Sequence, residues 1–200
     1  MTRTQAFSSV LALVMAGLAA ASATDRAAAV VQIGARAGYS HTTGEVLSSS
    51  GGLGGNGLWG LVGAVQILLP LDLEIAYERY TKSLDTHAIP AGANATYVDN
   101  AYLLTGKVNL PVFGGISPFW LHAGGGVGLH NIDTSTDSAD QIAQQLLNRS
   151  MNQGEWHAVV GADFRIASFL VYGEYRFQNI TENQGARFNS IYAGLNLCLE

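Results

Sequence analysis

From Val31 onward the chain alternates, residue by residue, between an apolar parity and a small or polar one, the period of a β-strand whose side chains point to opposite faces. Val31, Ile33, Ala35, Ala37 and Tyr39 interleave with Gln32, Gly34, Arg36, Gly38 and Ser40. A second run sets Trp59, Leu61, Val65, Ile67 and Leu69 against Gly60, Ala64 and Gln66, with Val62 and Leu68 blurring it. A third sets Leu71, Leu73, Ile75 and Tyr77 against Asp72, Glu74, Ala76 and Glu78. A helix would spread those carboxylates around its circumference, so the strand period holds.

Five more runs follow the same rule. Tyr102, Leu104, Val108 and Leu110 oppose Thr105, Lys107 and Asn109; Phe119, Leu121, Ala123, Val127 and Leu129 oppose His122, Gly124, Gly126, Gly128 and His130. Trp156, Ala158, Val160, Ala162, Phe164 and Ile166 oppose His157, Gly161, Asp163 and Arg165. Val171, Tyr175 and Phe177 oppose Glu174, Arg176 and Gln178, and Ile191, Ala193, Leu195, Leu197 and Leu199 oppose Ser190, Tyr192, Gly194 and Asn196. Eight is an even number that closes into a barrel. The connections alternate in length: long polar ones near 40–57, 82–96, 131–155 and 179–188, short ones at Leu69–Asp72, Pro111–Pro118 and Ala167-Ser168. The third long loop carries a helix candidate, Asp137–Arg149, with Ile142 and Leu146, and Ala143 and Leu147, at i, i+4 spacing.

Alternation alone does not say which face is inside. The polar parity holds Arg36, Lys107, Arg165 and Arg176 against Glu74, Glu78, Asp163 and Glu174, four cations and four anions. Were that face outward, the lumen of an eight-stranded barrel would have to take Trp59, Phe119, Trp156, Phe164 and Tyr175, more rings than it has room for. Inverted, the charges pair around the axis, with Gly124, Gly126 and Gly128 leaving volume for long side chains from other strands. The aromatic residues then form two belts, Tyr39, Trp59, Tyr77, Trp156, Tyr175 and Phe177 at the long-loop rim, Phe113, Phe119, Phe164 and Phe169 at the short-turn rim. Arg79 and Arg187 share the outward parity but lie beyond the apolar band, toward the loops, where they read as solvated rim charges, with contact to anionic lipid head groups as the alternative.

The N-terminus adds a compartment. Arg3, an apolar run of about 12 residues from Val10 to Ala21, and Ala21-Ser22-Ala23 read as the n-region, h-region and cleavage site of a secretory signal peptide over residues 1–23. Residues 24–200 are then the exported domain. Composition narrows the partners: with Lys plus Arg at 10 against 15 acids and a net charge of −5, nucleic acid is not expected. The single cysteine, Cys198, excludes an internal disulfide framework and a thiolate metal cluster.

Together the leader, the eight alternating runs, the unequal connections and the closing run Tyr192–Leu199 resemble the small eight-stranded outer-membrane β-barrels of OmpA/OmpX type. The final Leu199-Glu200 departs from the terminal Phe common there. The resemblance implies an all-β, antiparallel up-and-down transmembrane barrel in a Gram-negative-type outer membrane, with both termini at the periplasmic side and four loops outside. It also implies outer-membrane lipid or lipopolysaccharide and the outer-membrane assembly machinery as partners.

Candidate chemistry is sparse. The lumen charges Arg36, Glu74, Glu78, Lys107, Asp163, Arg165, Glu174 and Arg176 read as a salt-bridged plug, or alternatively as the lining of a narrow pore for ions or small solutes. His130 and His157 face inward on adjacent strands with no third ligand in view, so they read as polar filler with no metal or cofactor expected. No His-x-Ser pair of the kind used by lipid A deacylases occurs, and no enzymatic activity is expected. Gly51–Gly55 lacks the Gly-Lys-Ser/Thr of a phosphate cradle. The reading is a structural or surface-interaction protein acting through its loops, whose partner the sequence leaves open. A soluble exported lipocalin-like barrel around an apolar ligand is a further alternative.

Overall fold

Antiparallel pairing runs unbroken from each strand to the next in sequence and from the last back to the first, so the sheet closes into a barrel. The computed structural model describes residues 30–43, 56–68, 70–85, 94–112, 118–136, 149–180 and 187–199. Its strands are β1 (Val31–Thr43), β2 (Asn56–Leu68), β3 (Leu71–Asp85), β4 (Asn94–Pro111), β5 (Phe119–Thr136), β6 (Arg149–Ile166), β7 (Phe169–Ile180) and β8 (Arg187–Leu199). The leader, Phe113 and Gly51–Gly55 lie outside the described residues.

The register fixes the tilt. A row of paired residues that starts at Ile33 passes through Gly63, Ile75, Leu104, Val127, Trp156, Asn179 and Arg187. It returns to β1 at Thr43, residue 43 against residue 33, a stagger of ten. Closure with such a stagger inclines the strands by roughly 35–45° to the axis. On that slope Tyr39, Trp59, Tyr77, Tyr102, Trp156 and Tyr175 stand at about one height on the outer wall.

At the short-turn rim the chain reverses tightly. Ala167 adopts a left-handed backbone (φ 52°), which lets two residues, Ala167 and Ser168, join β6 to β7. Pro70 and Pro118, which have no N–H of their own, accept backbone bonds from Asn109 (2.7 Å) and Arg165 (2.9 Å).

The strands at the opposite rim run further than the alternation predicts. β5 continues to Thr136 and β6 begins at Arg149, inside the stretch 131–155 expected to be loop. Here the outward residues Asn131, Ser135, Ser150 and Asn152 are polar, so the apolar signal that marks a strand lower down has faded although the pairing continues. Arg149, the last residue of the expected helix, opens β6; residues 137–148 lie outside the described residues.

Candidate functional site

The wall is polarised in the inverse of a soluble barrel. Leu129 and Ile191 are 67% and 64% exposed, while Arg176 and Glu78 are 0% exposed. Among the buried side chains of the described residues the polar and charged outnumber the apolar, the reverse of an ordinary core. Of the ten aromatic residues expected on the outer belts, Tyr39, Trp59, Tyr77, Phe119, Trp156, Phe164, Phe169, Tyr175 and Phe177 sit on outward positions, and Phe113 lies outside the described residues. Val62, which blurred the second run, points inward and joins Leu58, Ala76, Tyr80, Ala101, Leu103 and Tyr192 in a small apolar cluster on one side of the lumen.

Six of the eight expected lumen charges form a closed ring of alternating sign. Arg36 pairs with Glu78, and its Nη1 donates to Glu74 Oε1 at 2.7 Å. The other oxygen of Glu74 takes Lys107 Nζ at 2.5 Å, and Lys107 reaches Glu174 Oε2 at 2.6 Å. Arg176 Nη2 lies 3.0 Å from Glu174 Oε1, and its Nη1 returns to Glu78 Oε1 at 2.8 Å. Three cations and three carboxylates thus neutralise one another with every member buried, the condition under which internal charges are tolerated.

Aromatic hydroxyls and faces complete the ring. The Tyr192 ring lies between two guanidinium groups, with Cζ of Arg36 at 5.1 Å and of Arg176 at 4.7 Å from its centroid, a cation–π arrangement. Tyr192 and Tyr80 both donate to Glu78 Oε2, at 3.1 and 3.2 Å. Gly60 stands in the paired row between Arg36 and Glu78, and a Cβ there would meet Glu78 Cγ at 3.0 Å. The missing side chain is what lets those two residues meet across β2.

The other two expected charges are placed differently. Asp163 accepts from His122 Nδ1 at 3.0 Å, and His122 Nε2 lies 3.3 Å from Glu174, which attaches the pair to the ring. Arg165, the residue before the last in β6, is half-buried and lines the short-turn mouth of the lumen. That mouth holds a cavity of about 80 Å³, with Asp72, Asn109, Trp120 and Cys198 also on its wall. Deeper in, about 20 Å³ remains between Lys107, His122 and Tyr172.

On the long-loop side of the ring, His130 and His157 are bridged by a carboxylate. Glu155 lies 2.8 Å from His130 Nε2 and 2.9 Å from His157 Nδ1. Asp99 sits 2.8 Å from His130 Nδ1, and Thr105 2.9 Å from His157 Nε2. The volume over Gly126 and Gly128 is filled by His157 and by Glu155 with Leu103, neighbours on the adjoining strands. Glu155 and Asp99 were not singled out in the sequence because they lie where outward residues turn polar, yet they share the parity of His157 and of Ala101. Among the described residues no group of three or more His, Cys, Asp or Glu side chains is arranged to hold a metal ion. The centre of the described lumen is occupied by paired charges and the outer wall by the apolar residues, the opposite of the distribution that a lipocalin-like barrel around an apolar ligand requires.

No family model matches the chain, and no curated protein matches it in sequence. Solved structures do match in shape. The fold is that of the small eight-stranded outer-membrane β-barrels. A major outer membrane protein from Thermus thermophilus superimposes with a TM-score of 0.60 at 13% identity, covering 86% of this chain and 100% of that one. Neisserial surface protein A gives 0.58 at 14% identity, covering 84% and 96%. Ail, the attachment invasion locus protein of Yersinia pestis, solved with the heparin analogue sucrose octasulfate, gives 0.56 at 9% identity, covering 86% and 99%.

Proposed function

We propose that the protein is a sealed outer-membrane barrel: a rigid, non-enzymatic anchor that holds its four long connections at the cell surface as the interacting part. The carrying observation is the closed six-charge ring from Arg36 to Arg176, which spans the lumen with cavities of about 80 and 20 Å³ beside it. In lipid every backbone N–H and C=O needs a partner within the protein, which the closed sheet supplies while its apolar stripe is dissolved in acyl chains. Eight strands enclose about as much space as side chains fill, whereas aqueous channels use 16 or more. Export through a leader at residues 1–23, and recognition of β8 by the outer-membrane assembly machinery, complete the reading. The surface role is supported by analogy with Ail, whose structure holds a sulfated sugar.

The cavity at the short-turn mouth favours a second reading, a narrow pore, and one experiment separates the two. Purified barrel in a planar bilayer is expected to give no stepwise conductance, while Glu74→Ala together with Lys107→Ala, which opens the ring, introduces it. Steps from the unaltered protein, lost or enlarged in that variant, would replace the anchor with a pore. Protein that stays in solution without detergent would overturn the membrane reading itself.

A further inference from the structure

The inward parity begins at the second residue of each strand that leaves the short-turn rim: Gln32 on β1, Asp72 on β3, Trp120 on β5 and Leu170 on β7. With Arg165 and Cys198, next to last on β6 and β8, they surround the mouth cavity of about 80 Å³. The inner cavity of about 20 Å³ adjoins it, since Gln32, Asp72, Asn109, Asp163 and Leu170 line both. Glu74 and Lys107 of the charge ring form its floor. The two cavities together are a blind recess that opens at the short-turn rim.

Three oxygens on the wall of the inner cavity are buried and, among the described residues, have no hydrogen-bond partner: Asp72 Oδ1, Asn196 Oδ1 and Tyr172 Oη. Asn196 and Tyr172 are 3% and 4% exposed. The rest of each side chain is held in place. Asn109 Nδ2 donates to the other oxygen of Asp72 at 2.6 Å, and Asn196 donates its own Nδ2 to Gln32 Oε1 at 3.1 Å. The Tyr172 ring stands 5.6 Å from Lys107 Nζ and fills the space over Gly194, where a Cβ would meet its Oη at 2.5 Å. A buried acceptor without a donor is costly, so three on one wall call for a donor between them.

The charges favour a cation. The ring is neutral in itself, three against three, and the recess adds Asp72 and Asp163 against Arg165, with His122 on Asp163. A divalent metal ion is not suited, because among the described residues no group of three or more ligating side chains is arranged for one. A primary ammonium brings three N–H donors to three oxygens, and the inner cavity has room for one group of water size. A stem on that ammonium reaches the outer cavity beside Trp120 and Leu170.

We propose that the recess at the short-turn mouth binds a short primary alkylammonium, its head on Asp72 Oδ1, Asn196 Oδ1 and Tyr172 Oη and its alkyl stem against Trp120 and Leu170. The site goes beyond the anchor reading and stands without it. The membrane reading decides only the compartment from which the amine enters, the periplasm.

The test uses the full-length barrel folded in detergent, its compactness scored first by the mobility of unheated samples. Isothermal titration calorimetry then compares ethylammonium, tetramethylammonium and potassium chlorides. Ethylammonium is expected to bind at one site per barrel, potassium roughly tenfold more weakly, and tetramethylammonium, which has the charge without an N–H, not at all. Asp72→Asn, which keeps an acceptor for Asn109, should weaken ethylammonium roughly tenfold, the worth of one charge-assisted hydrogen bond. Tyr172→Phe, which keeps the ring, should weaken it roughly threefold. No binding of ethylammonium, equal binding of potassium or tetramethylammonium, or a compact Asp72→Asn or Tyr172→Phe barrel with unchanged affinity would each overturn the assignment. Insertion into vesicles is scored separately. A barrel that inserts without binding ethylammonium removes this inference alone, whereas one that binds it without inserting removes the membrane reading alone.

Discussion

Arg176 and Glu78 are 98 residues apart in sequence and stand on β7 and β3, four strands apart on opposite sides of the barrel, yet Nη1 of one lies 2.8 Å from Oε1 of the other. The contact is a strut across the lumen. Strands that never share a backbone hydrogen bond are held at a set distance by it; Lys107 to Glu174 ties β4 to β7 and Arg36 to Glu74 and Glu78 ties β1 to β3 in the same way, while Glu74–Lys107 and Arg176–Glu174 link neighbours and close the ring.

Removing one end of that strut strands a buried charge. Arg176→Leu leaves Glu78 and Glu174 with one cation fewer, and is expected to lower stability by about 3–5 kcal/mol. Adding Glu78→Leu restores electrical balance and should recover a substantial part of the loss, because two apolar side chains of similar size replace a mutually dependent pair. Urea titration of vesicle-folded protein, followed by the mobility of unheated samples, measures both. A double variant no better than the single one would show that shape, not charge balance, holds the lumen.

Glycines on the two faces should respond in opposite directions. A Cβ on Gly126 would meet His157 Nε2 at 2.5 Å and the Leu104 carbonyl, so Gly126→Ala is expected to lose the compact unheated band. Gly63 points outward, with nothing within 4 Å of its would-be Cβ, and Gly63→Ala should gain about 0.5–1 kcal/mol by restricting the unfolded chain. Gly126→Ala folding as well as Gly63→Ala would contradict the placement of the inner wall.

A charge on the outer wall should cost according to its height. Leu195 lies midway along the outward side of β8 and is half exposed, so Leu195→Arg is expected to cost about 2–4 kcal/mol in a bilayer. Ser150, exposed above the aromatic belt, should accept arginine at about 0–1 kcal/mol. Equal penalties in vesicle refolding titrations would mean that no hydrocarbon slab surrounds this surface.

The β6–β7 turn carries backbone strain that one substitution relieves. Ala167 is held at φ 52°, a region that costs an L-residue roughly 1–2 kcal/mol and glycine almost nothing. Ala167→Gly is therefore expected to raise the urea midpoint by the equivalent of about 1 kcal/mol, less the added freedom of the unfolded chain. Ala167→Val should lower it.

Strand number, outward parity and the positions of the belts were legible in the sequence because each depends on the period of two, which is a local property. Arg36, Glu74, Glu78, Lys107, Glu174 and Arg176 could be assigned to one face that way, but not to one another. Which carboxylate meets which cation depends on the stagger of ten, and that emerges only when all eight registers are set together. Arg165 shares the parity of Asp163 but sits too near the end of β6 to reach the ring. The extensions of β5 and β6 were missed because the pattern of greasy outward residues stops where the apolar band stops, while hydrogen bonding does not.

The pairing of β1 with β8, from Val31 opposite Leu199 to Thr43 opposite Arg187, joins the two ends of the described chain. A circle of this sort has no stable half. Until the eighth strand arrives, the first has donors and acceptors on one side with nothing to bind, and Arg36 lacks the Tyr192 ring that it shares with Arg176. Closure is thereby an all-or-none property of the sheet: without the strand that begins at Arg187, β1 and β7 are both left as open edges and the barrel is an unclosed ribbon.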